Sequence, residues 1–459
     1  MDSLKTQLFG RERVLQDIVA GVLAPQPVSF SLVGPKLVGK SFLLNHLAGE
    51  EGPLLNPALS NWRPSPHQDP DRIIVTRIDC DWAEAQEDLL AYLHEHLLEV
   101  TRAEHGIHLD EQQIEAQPSS ARRIWQIARQ LNRQDFRLVI LMDNFDRAFE
   151  QQLIHMEAAD ELRPLTLEVA LVVATEQPLH DLDRQLAASP LFNVMEQTFV
   201  GLLGPEGADA WLDAYCDRFP VLTGVRDQLL TLAGNHPYLL RRIYDIVTED
   251  LPTLLAPGQT IGPEHGELIR LRLAEHGRRL FAIMWRTIQN PPPRIDPDLV
   301  RTLTARLVEA PLPAGQVSNG QTSTLNWLMN QAMVVYGEDG YRLFSPLFTD
   351  YLARRLDVGP PPAAPPLPPA DGDDLPIYDE LTKIEAALLR YFRSHSGELI
   401  PPQQLLADVW HRPNATPRRV QEAIRRLRLQ LEKAHPPVGV IENERGRGYR
   451  FVPAATSDE

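Results

Sequence analysis

Cysteine is scarce in this chain: 459 residues carry only Cys80 and Cys216. There is no Cys-x-x-Cys pair and no Cys/His cluster at zinc spacing, which excludes a disulfide scaffold and a zinc finger. Two lone thiols fit a reducing compartment, where they read as small buried hydrophobes. Long apolar runs are missing too. No stretch approaches the roughly 18 residues that a spanning helix needs, and the first residues, MDSLKTQLF, lack the apolar segment of a signal peptide. The expectation is a cytoplasmic protein with no membrane partner. Basic charge is also short: 45 Lys and Arg face 62 Asp and Glu, for a net charge of -17. An acidic surface repels phosphate, so any nucleic-acid site has to be a local basic island. No repeat at solenoid periods occurs. What remains is an ordinary globular composition, 43% hydrophobic, with a length that suggests about three domains.

Residues 358–377 read DVGPPPAAPPLPPADGDDLP. Such a stretch buries no core and favours an extended spacer. Before it, short apolar runs at 28–33, 73–78, 138–142 and 169–174 alternate with helical patterns, the order of a mainly parallel α/β sheet. Residues 205–357 look helical, with a hairpin signal around 337–340. The predicted fold is therefore a multidomain α/β plus α chain. It comprises a P-loop NTPase sheet at 1–204, a helical lid at 205–265, a winged helix at 266–357, the spacer at 358–377 and a C-terminal winged helix-turn-helix at 378–455.

The chemistry begins at Gly34-Pro-Lys-Leu-Val-Gly39-Lys40-Ser41, which fits G-x-x-x-x-G-K-S between an apolar strand and a helix. Glycines let backbone N–H groups approach phosphate oxygens, and the helix N-terminus adds partial positive charge. Lys40 is expected to reach the β- and γ-phosphates of ATP or ADP, and the Ser41 hydroxyl to hold Mg²⁺. A second apolar strand ends in Asp143-Asn144-Phe145-Asp146, placing Asp143 as the other metal ligand. Asn144 stands where a water-activating acid often follows, and an amide takes no proton. Asp146 is the candidate substitute, and hydrolysis is expected to be slow.

These residues resemble the STAND branch of AAA-like ATPases, over about residues 8–357. Phe9-Gly10-Arg11-Glu12 looks like the motif that lies near the adenine in that family, which assigns Gly10 and Arg11 to cofactor binding. Thr175 matches its polar sensor position, although Glu176 and Gln177 follow where an arginine often stands. Gly234-Asn-His-Pro237-Tyr-Leu-Leu is similar to the segment whose proline packs on the nucleotide; His236 within it reads as a packing histidine. The resemblance implies a nucleotide-gated switch and a nucleotide-dependent homo-oligomer.

The island of opposite charge lies at 381–453, where thirteen basic residues face seven acids, about +6. Thr416-Pro417 reads as a helix start. From there Val420, Ile424, Leu427 and Leu431 make one apolar stripe, with arginines on the far side. A hairpin follows, tipped by Arg445 and Arg447. The segment resembles the winged-helix effector domain of OmpR/PhoB-type response regulators. The match covers Leu381-Thr382, Glu385, Leu388-Leu389, Leu405-Leu406, Val409-Trp410, the stripe helix and Arg445-Gly-Arg-Gly-Tyr449-Arg450. It implies that Arg418, Arg419, Gln421, Glu422, Arg425 and Arg426 touch double-stranded DNA, and a helix packed on one face and arginine-rich on the other suits the major groove; the hairpin tip places Arg445 and Arg447 to reach an adjacent minor groove. Arg428, near the stripe, reads as structural.

Together these features predict a transcriptional regulator in which ATP or ADP state controls assembly or exposure of the DNA-binding domain. The alternatives are an ATP-driven DNA loader or motor, and a defence-type signalling scaffold whose winged helix binds protein.

Overall fold

The computed structural model describes residues 7–64, 69–81, 88–103, 105–150, 153–154, 163–182, 194–250, 265–356, 377, 381, 383–409, 417–433, 438–444 and 448–454. The chain divides into two compact units, residues 1–79 with 88–363, and residues 80–87 with 364–459.

The first unit is built on five parallel strands: β1 (Ser29–Val33), β2 (Ile73–Asp79), β3 (Arg137–Asp143), β4 (Ala170–Thr175) and β5 (Met195–Phe199). Their order across the sheet is β2-β3-β4-β1-β5. Every residue of β1 and β4 is buried, as is β3 after its first residue. Strands covered on both faces by crossover helices read as continuous apolar runs, which is why the pattern reveals them. β5 has the sequence Met-Glu-Gln-Thr-Phe and only Met195 of it is buried. It lies at the edge of the sheet, so little selects for hydrophobicity and the apolar pattern misses it. The other four expected strands are present within a residue of their predicted ends. The core on one side of the sheet joins helix α1 (Glu12–Val22) and helix α2 (Lys40–Ala48) to β1, β3 and β4 through Leu15, Val19, Phe30, Leu43 and Leu47.

Beyond the sheet come α3 (Pro205–Arg218), α4 (Arg226–Ala233) and α5 (Pro237–Asp245), then α6 (Gly266–Gln289), α7 (Pro297–Glu309) and α8 (Asn319–Asn330). The expected hairpin follows as β6 (Val334–Gly337) and β7 (Gly340–Leu343), antiparallel, and the unit ends on α9 (Pro346–Arg355). Proline at the first turn of α3, α5, α7 and α9 sacrifices an N–H that a helix start leaves unpaired anyway. One core runs through Leu212, Tyr215, Leu239, Ile243, Phe281, Phe344 and Phe348. It is continuous across residue 265, where the sequence suggested a boundary. Ser345 ties the two sides further, its hydroxyl donating to the Leu232 carbonyl oxygen at 2.6 Å.

The second unit is small and has its own core. Helices α10 (Lys383–Ser394), α11 (Pro402–Asp408) and α12 (Pro417–Lys433) precede an antiparallel hairpin, β8 (Gly439–Glu444) and β9 (Gly448–Pro453). The predicted stripe Val420, Ile424, Leu427 and Leu431 is buried against Leu388, Leu389, Phe392, Leu405, Ile441 and Phe451. Arg428 is structural as expected: its Nε donates to the Ile441 carbonyl oxygen at 2.8 Å, tying helix to wing. The spacer, apart from Ile377, lies outside the described residues, as do Thr416 and Trp410. Among the described residues no helix is long and apolar enough to cross a membrane.

Candidate functional site

The Gly34–Ser41 stretch turns from the end of β1, a central strand, into the N-terminus of α2. A Cβ on Gly34 would sit 2.0 Å from the Val200 carbonyl oxygen, so only glycine fits against the strand β5 exit. Gly39 has φ 98° and opens onto space with no atom within 4 Å of where a Cβ would point. That left-handed residue, immediately before the helix, leaves room for a ligand oxygen to approach the backbone. Lys40 is buried, and its ammonium donates to the loop's own carbonyls, Gly34 O at 2.6 Å and Pro35 O at 2.9 Å. Burial pushes this amine below its usual range, while the carboxylates of Glu176, Asp146 and Asp143 oppose the shift. Ser41 is half-buried at the second position of the helix.

Three carboxylates therefore surround Lys40. Asp143, at the end of β3, is only 1% exposed. Its Oδ2 lies 2.6 Å from Arg77 Nη2, and its Oδ1 accepts the backbone N–H of Asn144 at 3.1 Å. Asn144 is turned away from any water-activating role: its Nδ2 donates to Asp79 Oδ1 at 2.8 Å. Asp146 is buried and accepts the Glu176 backbone N–H at 3.0 Å. Burial, with Glu176 nearby, raises its pKa to about 6. Glu176 pairs with Lys36 of the loop at 3.4 Å. Thr175 closes the group at the end of β4; its hydroxyl is buried and has no hydrogen-bond partner among the described residues.

Beside the loop opens a cavity of about 260 Å³, lined by Leu8, Phe9, Leu37, Val38, Gly39 and Phe42 from the sheet side and by Leu203, Trp211, Pro237, Tyr238 and Arg241 from the helices. Phe9 stacks on Trp211, ring centroids 5.3 Å apart. Arg11 lines the same cavity and donates to the Gly201 carbonyl oxygen; burial lowers its pKa to about 10. Gly10, between two lining residues, has φ 64°. The segments at 9–12, 34–41 and 234–240, remote in sequence, thus meet at one place. His236 is fully buried, its Nδ1 accepting the Tyr238 N–H at 3.2 Å to cap α5, and its ring lies 5.4 Å from that of Phe344. Burial lowers its pKa to about 3. It is a packing residue, as the sequence suggested.

Sequence reasoning missed Arg77, Asp79, Trp211 and Arg241, and treated Glu176 only as a departure from a family pattern. The signal for the first two was present: after the apolar start Ile73-Ile-Val75, β2 ends Thr76-Arg77-Ile-Asp79, with two charges in a strand otherwise free of them. Trp211 and Arg241 carried none, since only the fold brings α3 and α5 to the loop.

In the second unit Arg425 is exposed on α12 and Arg426 half-buried. Arg418, Arg419, Gln421 and Glu422 lie on the same helix, with side chains outside the described residues; Arg445 and Arg447 lie wholly outside them.

A five-stranded parallel sheet with a glycine loop leading from a central strand into a helix defines the first unit as a P-loop NTPase fold, an ATPase-like module. The second unit is placed by comparison: residues 379–451 match the family described as transcriptional regulatory protein, C terminal, so the chain joins that module to a transcription-regulator DNA-binding domain. No curated protein sequence matches the chain. Among solved structures, the Walker-type ATPase of Pyrococcus abyssi is similar at 15% identity and TM-score 0.47, covering 74% of this chain and 95% of that one. The ORC2 protein of Aeropyrum pernix, in ADPNP–ADP complexes, is similar at 13% identity and TM-score 0.43, covering 76% and 92%. The ORC1 protein of Aeropyrum pernix, in complex with DNA, is similar at 13% identity and TM-score 0.36, covering 77% and 94%.

Proposed function

We propose that this chain is a nucleotide-responsive transcriptional regulator: ATP or ADP binds in the first unit, and its state controls assembly or exposure of a domain that binds double-stranded DNA. The observation that carries the reading is the convergence of three distant segments on one loop and cavity, in a chain that also carries a regulator-type DNA-binding domain. An apolar cavity walled by Phe9, Leu37 and Pro237 suits a flat heterocycle. The adjacent Gly39 opening and α2 N-terminus suit its phosphates. Lys40, drawn in this structure to two loop carbonyls, has the charge and reach to turn to a phosphate. Ser41 and Asp143 offer the hydroxyl and carboxylate oxygens that a hard divalent cation takes; Mg²⁺ there would neutralise phosphate charge. Thr175, whose buried hydroxyl has no partner among the described residues, suits the far end of the phosphate chain.

Asn144, committed to Asp79, cannot act as base, and Asp146 spends one oxygen on a backbone N–H. Turnover is expected well below the median enzyme rate of about 10 s⁻¹, which suits a switch. We also propose the domain limits read from the sequence, with the lid and first winged helix acting as one body through their shared core. DNA recognition is assigned to Arg418, Arg419, Gln421, Glu422, Arg425 and Arg426 on α12, with Arg445 and Arg447 on the wing.

The test is DNA binding by the full-length protein in ADP and in a non-hydrolysable ATP analogue, alongside Lys40→Ala. The expected result is a nucleotide-dependent change in DNA affinity or oligomer size that Lys40→Ala removes. DNA-stimulated turnover at or above about 10 s⁻¹ would identify a motor instead. Absence of DNA binding at low salt would leave a protein-binding scaffold.

A further inference from the structure

Strand β2 ends Thr76-Arg77-Ile78-Asp79. In the parallel ladder, Asp79 lies opposite Asp143 and Arg77 opposite Leu141. Side chains alternate across a strand, so Arg77, Asp79 and Asp143 share one face at the end of the sheet nearest the phosphate loop. Two contacts join them: Arg77 Nη2 to Asp143 Oδ2 at 2.6 Å, and Asn144 Nδ2 to Asp79 Oδ1 at 2.8 Å. With the Asn144 N–H on Oδ1, both oxygens of the expected metal ligand are engaged, one of them by a cation.

That cation is a guanidinium, whose planar fork of N–H donors matches a carboxylate and is less strongly hydrated than an ammonium. Asp143 is almost wholly buried, whereas a quarter of the Arg77 side chain faces solvent. The carboxylate is therefore fixed and the arginine is the partner with room to move. Mg²⁺ demands oxygen ligands at about 2.0–2.1 Å in near-octahedral geometry. A guanidinium 2.6 Å from Oδ2 takes one of that oxygen's lone pairs and sets a positive charge beside the place a metal would occupy, and two cations held at one carboxylate repel strongly where screening is weak.

We propose that Arg77 competes with Mg²⁺ for Asp143, so that the phosphate loop holds nucleotide with little help from the metal. The metal gains its carboxylate only when Arg77 swings away. This rests on the nucleotide reading above. It makes Arg77 a positioning residue that sets metal affinity rather than one that touches substrate.

The experiment uses the full-length protein at pH 8, with Mn²⁺ as a spectroscopic probe of metal binding and a fluorescent ADP analogue titrated in EDTA and in Mg²⁺. For the wild type, Mg²⁺ is expected to change ADP affinity by less than roughly threefold. Arg77→Gln is expected to raise that effect and to tighten Mn²⁺ about tenfold, and a second change, Asp143→Asn, is expected to abolish the gain. Melting temperatures measured in EDTA show whether each variant is folded. If Arg77→Gln does not fold, Arg77→Lys decides, with a gain of roughly threefold expected. A wild type whose ADP binding depends strongly on Mg²⁺, or a folded Arg77 variant whose Mn²⁺ affinity is unchanged or weaker, overturns the proposal while the nucleotide reading stands. No ADP binding in either buffer overturns the nucleotide reading, and this proposal with it.

Discussion

Lys40 and Asp146 show how much of this site is decided by single buried charges. Lys40 sits among three carboxylates with its ammonium on two carbonyl oxygens. Replacing it by alanine removes a charge-assisted partner for the phosphates, and calorimetry is expected to show ADP binding weakened by roughly 2–3 kcal/mol. Asp146 has the opposite predicament, a carboxyl buried beside Glu176 with its pKa raised to about 6. A raised folded pKa means that the folded state holds a proton the unfolded chain has released. Its contribution to stability is therefore fully present below the unfolded pKa, near 3.8, and is lost as pH rises to about 6. Asp146→Asn keeps the acceptor for Glu176 N–H and removes the charge. Denaturant unfolding is expected to find the variant more stable than wild type by roughly 3 kcal/mol at pH 7, with the difference gone near pH 3. Equal stabilities at both pH values would mean that Asp146 carries no buried charge.

Elements were legible where burial imposed a period and illegible where it did not. β1, β3 and β4 announce themselves because both their faces are buried, which gives continuous apolar runs, and the glycine loop is readable because its chemistry is local. β5 was lost because an edge strand of Met-Glu-Gln-Thr-Phe has no period to detect. Arg77 and Trp211 were lost for another reason: their role depends on which element lies beside which, and the sequence does not state adjacency. α12 lies at the legible extreme, with four apolar residues at 4-3-4 spacing all buried in the small C-terminal core. Leu427 is fully buried there, and Leu427→Ala is expected to cost about 2–5 kcal/mol, enough to unfold so small a domain at ordinary temperatures. Arg425→Ala, on the exposed side of the same helix, is expected to leave folding intact and to weaken binding to a preferred DNA site by about 1–3 kcal/mol. Circular dichroism melts and DNA titrations separate the two outcomes, and equal loss of fold in both variants would refute this assignment of faces.

At the scale of the whole molecule, an acidic chain carries a basic island with a core of its own. A fragment of residues 378–459 is therefore expected to fold cooperatively and to bind duplex DNA. With about four phosphate contacts, log K against log[salt] is expected to fall with a slope near -3.6. The full-length protein, with its net charge of -17, is expected to bind more weakly than the fragment at low salt. A salt-independent affinity would rule out phosphate contact as its source. The burial of His236 has a consequence for how this molecule reports acid. Its pKa of about 3 lies below its ordinary value of 6.5, so folding expels a proton from the imidazole in mild acid, and stability falls as pH drops from 6.5 towards 3. Asp146 does the reverse over nearly the same interval, retaining on folding a proton that the open chain gives up. One exchange offsets the other. Between these two residues the proton expelled and the proton retained oppose each other, so altering either one alone would expose the slope that its counterpart conceals.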